Sequence, residues 1–229
     1  MLTLFELFGF ILLVIETLIG MVGNGFIAIV NCIDWHRSRK LSPADMILSC
    51  LSLFRFAFHA VTLQIAIFKL FFVDPFLMLK LNIAYDFSWL FLNTTSLWFA
   101  AWLSVLYCVK IANFSHPHFL QMKRRFPGLV PWLLLGTVVF SAITTTVAIT
   151  GSIIVSKCNP FESHLNNSSD SGINTTNSFL SRMGINDNGV HFIFLNVIAA
   201  YSSGHALILI FISPKLKQES VRMLHQLRC

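Results

Sequence analysis

The residues best suited to recognise a small molecule form a short polar run inside an apolar segment. The segment WLFLNTTSLWFAAWLSVLYCVK, residues 89–110, carries the run NTTS at positions 93–96. At helical spacing Trp89, Asn93 and Ser96 lie on one face of a helix. An indole and an amide on one face can stack on a ligand and hydrogen-bond to it in a mostly apolar cavity. The pattern predicts a binding face on this helix.

A second interpretation of the same residues is structural. Asn, Ser and Thr side chains in membranes commonly hydrogen-bond to neighbouring helices and so hold a bundle together. The residues alone leave both interpretations of Asn93 open. The NTT triplet also spells a glycosylation sequon, but Asn93 lies roughly 9 Å below the outer end of its predicted helix, which is too deep for a sugar.

The element that must carry these residues is a membrane-spanning helix. Of the 229 residues, 55% are hydrophobic and only 11% are charged, whereas soluble domains have about 25% charged residues. The apolar residues form blocks of about 20, the length that crosses a bilayer core. We therefore expect an all-α integral membrane bundle of five spans, at about 7–33, 46–68, 87–108, 130–155 and 190–212.

Lys and Arg residues predict the orientation of the bundle. Four of them lie in the segments on one side of the predicted membrane: Lys69, Lys80, Lys157 and Arg182. Eleven lie in the segments on the other side: Arg37, Arg39, Lys40, Lys110, Lys123, Arg124, Arg125, Lys215, Lys217, Arg222 and Arg228. This positive-inside asymmetry places the N-terminus outside and the tail, residues 213–229, in the cytoplasm. Because the charge of +6 is spread between apolar blocks, we expect no nucleic-acid partner.

The long polar segment 156–189 is then extracellular. It contains sequons at Asn166, Asn167 and Asn174, which agree with a glycosylated outer loop. The five cysteines form no CxxC motif and no Cys/His cluster. We therefore expect no disulfide framework, no metal site and no cofactor. Palmitoylation of Cys229 stays an open question.

Four stretches of the chain resemble one known family. LYCVKIANFSHP and PKLKQ are their most specific parts, and the full stretches are GMVGNGFIAIVNCIDW, SLWFAAWLSVLYCVKIANFSHPHFLQMKRRFP, VPWLLLG and AYSSGHALILIFISPKLKQ. Together they resemble the type 2, or bitter, taste receptors, a class of seven-helix G-protein-coupled receptors. The resemblance implies a plasma-membrane receptor that binds small apolar or amphipathic bitter compounds. It also implies signalling through a gustducin-type G protein to phospholipase C and calcium.

The resemblance is interrupted. It runs from the first residue to about 157 and resumes near 190, with no counterpart of the family's fifth helix, third inner loop or sixth helix. Because two crossings of the membrane are lost, every segment after the gap keeps the orientation that it has in the family. The alternative function is therefore a five-span remnant that does not signal, retained in the endoplasmic reticulum or associated with full-length relatives.

Further site residues follow from the resemblance. It implies that Trp89 and Asn93 occupy positions that bitter receptors use for agonists, and that Asn24 and Arg55 occupy the core of the bundle. Because such groups are costly in hydrocarbon, we expect Asn24 and Arg55 to face the interior with a partner. Glu16 either pairs with Arg55 or lines the cavity, and one sequence leaves that choice open.

The basic residues Lys110, Lys123, Arg124 and Arg125 have two interpretations. They can supply the positive-inside signal and attract anionic lipids, or they can contact a G protein, as the resemblance implies. We favour the interpretation that these residues attract lipid. In the family, the inner ends of the fifth and sixth helices move outward to admit a G protein, and this chain has no counterpart of those helices.

Other classes of protein lack support in the sequence. There is no HExxH motif, nucleophile elbow, glycine-rich phosphate loop or pair of intramembrane carboxylates, so we expect no enzyme. A secondary transporter would be expected to contain an internal inverted repeat, and none is evident in this sequence. His205, on an apolar helix and far from another His, is predicted to be a core residue and not a metal ligand.

The sequons generate a testable prediction. Treatment of the expressed chain with peptide-N-glycosidase should increase its gel mobility, because at least one of Asn166, Asn167 and Asn174 carries a glycan. Replacing all three by Gln should give that mobility without the enzyme, whereas Asn93→Gln should leave the shift intact. Unchanged mobility after digestion would contradict the extracellular assignment of this loop.

Overall fold

The protein is a bundle of helices. The structure is a computed structural model, and it describes residues 4–39, 41–71, 75–111, 117–162 and 187–228. No strand occurs within these ranges. The helices are α1 (Leu4–Ser38), α2 (Pro43–Phe71), α3 (Pro75–Ile111), α4 (Pro117–Glu162), α5 (Asp187–Ile212) and α6 (Pro214–Arg228).

Five of these helices are long and apolar enough to cross a membrane, which agrees with the expected all-α membrane bundle. Their apolar windows are Leu7–Ser38, Pro43–Phe68, Ile83–Ile111, Gly128–Ile154 and Leu195–Ile212.

The helices extend further than the hydropathy of the sequence indicates. The predicted outer loop, 156–189, is helical at both ends, and its three sequons lie outside the described residues. The basic positions 123–125, expected in a loop, lie in the first turns of α4. The tail forms α6, although its residues are too polar to span a bilayer. Hydropathy reports only the part of a helix that lies in hydrocarbon, and a helix continues wherever its backbone hydrogen bonds continue.

Proline marks the first residue of four helices, namely α2, α3, α4 and α6. Proline has no N–H to donate, and the first turn of a helix has no acceptor for one, so this position costs nothing. Ser42 caps α2: its Oγ accepts from the Asp45 N–H at 3.2 Å and donates to Asp45 Oδ2 at 2.8 Å. At the end of α1, Arg39 adopts φ 55° and its N–H donates to the Trp35 carbonyl, which terminates the helix.

The spanning helices pack in the spatial order α5, α1, α2, α3, α4. Among the described helices, α2 is the only one that contacts every other spanning helix. At the α3–α4 interface Trp98 meets Phe140 edge to face at 5.9 Å, and the Trp102 indole N–H donates to Thr137 Oγ1 at 2.9 Å. These contacts leave α2 at the centre and α4 at one edge.

The interior consists of two apolar clusters with polar residues between them. One cluster includes Ile27 of α1, Leu51 of α2 and Ala206 of α5. The other contains Leu13, Ala66, Leu195 and Ala199. Buried polar residues of the same three helices lie between the clusters along the chain: Thr17, Asn24, Ser52, Arg55, His59, Thr62, Ser202 and Ser203. We call these eight residues the polar layer.

An ionic junction joins α6 to the ends of α1 and α2. Lys215 Nζ lies 2.6 Å from Asp34 Oδ2 and 3.6 Å from Asp45 Oδ2. The same amine donates to Asn31 Oδ1 at 3.2 Å. Leu216, the next residue, is buried in the first apolar cluster. We call the end of the bundle that holds this junction the basic end.

The junction generates a prediction about α6. Lys215→Met should raise the hydrogen-exchange rate of α6 amides by roughly two- to fivefold, since a partly exposed ion-pair network contributes about 0.5–1 kcal/mol. High salt should reduce the difference between variant and parent. Lys217→Met is the control, because Lys217 is exposed and pairs with no carboxylate in the described part of the chain. Equal exchange in both variants would mean that the junction does not hold α6.

Candidate ligand site and polar layer

The hydroxyl groups of the polar run in α3 are satisfied by their own helix. Thr95 Oγ1 donates to the Phe91 carbonyl at 2.7 Å, and Ser96 Oγ donates to the Asn93 carbonyl at 2.9 Å. Both side chains are buried. Such bonds let Ser and Thr lie in hydrocarbon without a partner on another helix. Of the three expected binding residues, Ser96 is thus the one whose polar group is already engaged.

Trp89 differs, because its polar group is unpaired. The indole packs on Phe58 of α2, with ring centroids 5.8 Å apart, and on the apolar cluster that contains Leu13 and Leu195. Its Nε1 atom is buried and has no hydrogen-bond acceptor among the described residues. A buried donor without an acceptor costs about 1–3 kcal/mol. A ligand oxygen placed here would recover that energy.

Asn93 lies one turn further along α3 and is half-buried. Among the described helices, the backbone of α3 comes close to those of α2 and α4 only. Trp102 faces α4, and Asn93 lies about 180° around the helix from it. Its neighbour on this open flank, Leu97, is 45% exposed. The structure therefore places Asn93 at the edge of the open flank of α3, and Trp89 one turn away, where α2 and the second apolar cluster cover it.

Arg55 is the most unusual residue of the polar layer. It is only 1% exposed, and its guanidinium carbon lies 5.4 Å from the centroid of the Tyr201 ring on α5. None of its three nitrogen atoms has a hydrogen-bond acceptor among the described residues. Its interior partner is therefore an aromatic face, which attracts a cation through the ring quadrupole. Glu16, the carboxylate considered as its partner, forms no ion pair with it.

His59 connects α2 to α5 one turn from Arg55. Its Nε2 lies 3.1 Å from Ser202 Oγ, and the residue is fully buried. The imidazole also lies directly against Gly20 of α1. A Cβ atom at Gly20 would collide with the His59 ring and would lie 2.6 Å from Ser203 Oγ. The three helices can approach this closely only because position 20 has no side chain.

On α1, Asn24 belongs to the polar layer, and Glu16 precedes its other member, Thr17. The Asn24 side-chain amide is buried and donates to the Gly20 carbonyl at 2.8 Å, so its partner lies in its own helix. The Glu16 backbone carbonyl accepts from Ser203 Oγ at 2.8 Å, which ties α1 to α5. Glu16 Oε2 is buried and has no partner in the described part of the chain.

The remaining predicted sites lie elsewhere. Lys110 and Arg125 are exposed at the basic end, and the side chains of Lys123 and Arg124 lie outside the described residues. His205 is half-buried beside Tyr201, with ring centroids 6.2 Å apart. Within the described ranges, no three His, Cys, Asp or Glu residues are grouped in a way that could hold a metal ion.

A comparison with protein families shows which family this chain belongs to. The Taste receptor protein (TAS2R) family matches the chain in two overlapping parts, residues 1–186 and 173–228. The chain belongs to this family. The match includes every described helix of this TAS2R chain, together with the flank of α3 and the polar layer.

Individual relatives cover less of the chain. Taste receptor type 2 member 2 from Homo sapiens is 40% identical over 134 residues, which are 58% of this TAS2R chain and 44% of that receptor. Member 41 from Mus musculus is 38% identical over 152 residues, 66% of the chain and 49% of the relative. Member 41 from Pan troglodytes is 43% identical, over 60% and 45% respectively. The chain thus spans about half the length of the curated relatives it matches.

Sequence reasoning missed two structural residues of this TAS2R chain. Gly20 lies four residues after Glu16 and four before Asn24, so it shares a polar helical face with them. A small residue on such a face could have indicated close packing against another helix. Lys215 was counted only as one positive charge of the tail. Nothing in the sequence pairs it with Asp34 or Asp45, which are distant in the chain.

The packing at Gly20 generates a prediction. Gly20→Ala should destabilise the chain by about 1–3 kcal/mol, because the added methyl group overlaps the His59 ring. The readout is the melting temperature in detergent micelles. Gly136→Ala is the matched control, since a Cβ there meets nothing within 4 Å and should be neutral or slightly stabilising. In a His59→Ala background the cost of Gly20→Ala should be smaller, and the part that remains should reflect the Ser203 hydroxyl. An undiminished cost there would mean that the clash lies elsewhere.

Proposed function

We propose that this chain binds small apolar or amphipathic bitter compounds beside Trp89 and Asn93 of α3. The observation that carries the proposal is the buried, unpaired indole N–H of Trp89, one turn from the half-buried Asn93 amide. The indole supplies a hydrogen-bond donor and an apolar face, and the amide supplies both a donor and an acceptor. Ser96 contributes packing, because its hydroxyl is bonded within α3.

The proposal includes orientation and signalling. The N-terminus and the 156–189 loop face outward at the plasma membrane, the loop carries glycans, and the tail is cytoplasmic. A bound bitter compound shifts the bundle toward a state that activates a gustducin-type G protein, phospholipase C and calcium release. Family membership and the concentration of Lys and Arg at the basic end support this assignment.

A second function is favoured by two specific observations. The described chain has five helices able to span a membrane, and it covers about half the length of its relatives. In this second function the chain is a receptor remnant that does not signal. It is retained in the endoplasmic reticulum or associates with full-length receptors through the flank of α3 that no described helix covers.

Calcium imaging with matched variants separates the two functions. The chain is expressed with a gustducin-type G protein, its surface exposure is verified, and responses to a panel of bitter compounds are recorded. Trp89→Phe should raise the half-maximal agonist concentration about tenfold, the effect of one lost hydrogen bond to the ligand. Because the indole N–H has no acceptor in the described protein, this variant should fold like the parent. Asn93→Ala should have a similar or larger effect.

The control is Ser104→Ala. Ser104 is exposed on the same helix, and its hydroxyl donates to the Ala100 carbonyl, so its loss should leave the response unchanged. Silence of the parent chain at the cell surface would exclude the receptor function and favour the remnant. A response that Trp89→Phe and Asn93→Ala leave intact would place the binding site elsewhere.

A further inference from the structure

Arg55 places a cation in the interior of the bundle. It belongs to the apolar window Pro43–Phe68 of α2 and is almost fully buried. None of its three nitrogen atoms has a hydrogen-bond acceptor among the described residues. The Tyr201 ring, whose centroid lies 5.4 Å from the guanidinium carbon, is uncharged. The ring attracts the cation through its quadrupole, but it does not cancel the positive charge.

The neighbouring histidines add hydrogen-bond donors to this region. His59, one turn from Arg55 on α2, contacts Ser202 Oγ of α5 through Nε2 at 3.1 Å, and its Nδ1 is buried without a partner among the described residues. His205, one turn from Tyr201 on α5, also has a buried Nδ1 without a partner in the described chain. A neutral imidazole carries its proton on either ring nitrogen, so each Nδ1 is able to donate. Adjacent turns of α2 and α5 therefore hold one cation and two further donors whose acceptors the described residues do not supply.

No carboxylate that the structure describes neutralises Arg55. The described carboxylate side chains are Glu16, Asp34, Asp45, Asp86 and Glu219. Three of them lie at the basic end and pair with basic residues there. Asp86 is exposed, and Glu16 forms no ion pair within the described ranges. An ion removed from water is costly unless an opposite charge accompanies it. The interior around Arg55 therefore favours an anion that the described chain does not itself provide.

We propose that chloride, a small monovalent anion, binds between α2 and α5 against the Arg55 guanidinium, with an imidazole N–H of His59 or His205 as a further donor. One negative charge balances one guanidinium, whereas a divalent anion would leave an excess of negative charge in hydrocarbon. Enclosure by α1, α2 and α5 favours a small ion over a large organic anion. A spherical ion accepts N–H groups from any direction, so it suits donors that come from two helices. The ion site is independent of the proposed bitter-compound site, so either can fail while the other holds.

Thermal unfolding in nanodiscs tests the proposal. The full chain is reconstituted in phosphatidylcholine, which carries no net charge. Its melting temperature is then measured at constant ionic strength and pH while sodium gluconate is replaced by sodium chloride. Chloride should raise the melting temperature by about 2–4 °C, because an anion that binds only the folded chain stabilises it. Bromide should act like chloride, whereas gluconate is too large for the enclosed site.

Matched variants assign the effect to the guanidinium. Arg55→Met removes the charge at similar volume and should abolish the dependence on chloride. An apolar residue of similar volume often replaces a buried charge without loss of stability, so this variant should fold. Arg55→Lys keeps a cation and should retain part of the shift. Lys217→Met is the control, because it removes an exposed cation at the basic end and should leave the full shift.

Equal melting temperatures of the parent chain in chloride and gluconate would overturn the proposal and leave water as the partner of the guanidinium. A chloride shift that persists in Arg55→Met would also overturn it, because the anion would then act elsewhere. Bromide in crystals of the parent chain keeps the test decisive even if Arg55→Met does not fold. An anomalous diffraction peak beside the guanidinium, between α2 and α5, would support the site. A bromide peak found only elsewhere, or no peak, would exclude it.

Discussion

The guanidinium group of Arg55 is the constraint on which the rest of the bundle depends. A charged side chain deep in hydrocarbon is expensive, and it is tolerated where protein encloses it and supplies favourable electrostatics. Here the Tyr201 ring supplies an aromatic face at 5.4 Å, and enclosure leaves Arg55 only 1% exposed. This arrangement requires α2 to lie against α5, with α1 closing the third side. The central position of α2 in the bundle is consistent with that requirement.

The other contacts of the polar layer reinforce the same three-helix unit. His59 reaches Ser202, and Ser203 reaches the Glu16 carbonyl, so α1, α2 and α5 are joined by hydrogen bonds as well as by apolar packing. Gly20 permits the close approach that these bonds need. In a membrane, where lipid chains are as apolar as Leu, small residues and interhelical hydrogen bonds provide much of the specificity of packing. The unit is thus held by features that a hydropathy profile averages away.

The ligand site has a different physical basis. Trp89 and Asn93 lie on α3, outside the three-helix unit, where α3 meets α2 along one side and α4 along another. Their polar groups are not consumed by the bundle, whereas those of Thr95 and Ser96 are satisfied within the helix. The polar layer therefore joins α1, α2 and α5, and the proposed ligand residues lie on its α3 side.

The sequence by itself determined the class of fold, because segments of about 20 apolar residues with few charges have no stable place except across a bilayer. It also placed Trp89, Asn93 and Ser96 on one helical face, since that follows from the period of the helix. Only the tertiary structure decided which of these polar groups is unpaired, that Arg55 meets an aromatic ring in place of Glu16, and that Lys215 joins α6 to Asp34 and Asp45. These are contacts between residues far apart in the chain. No local periodicity encodes them, because they depend on which helices become neighbours and how closely Gly20 lets them approach.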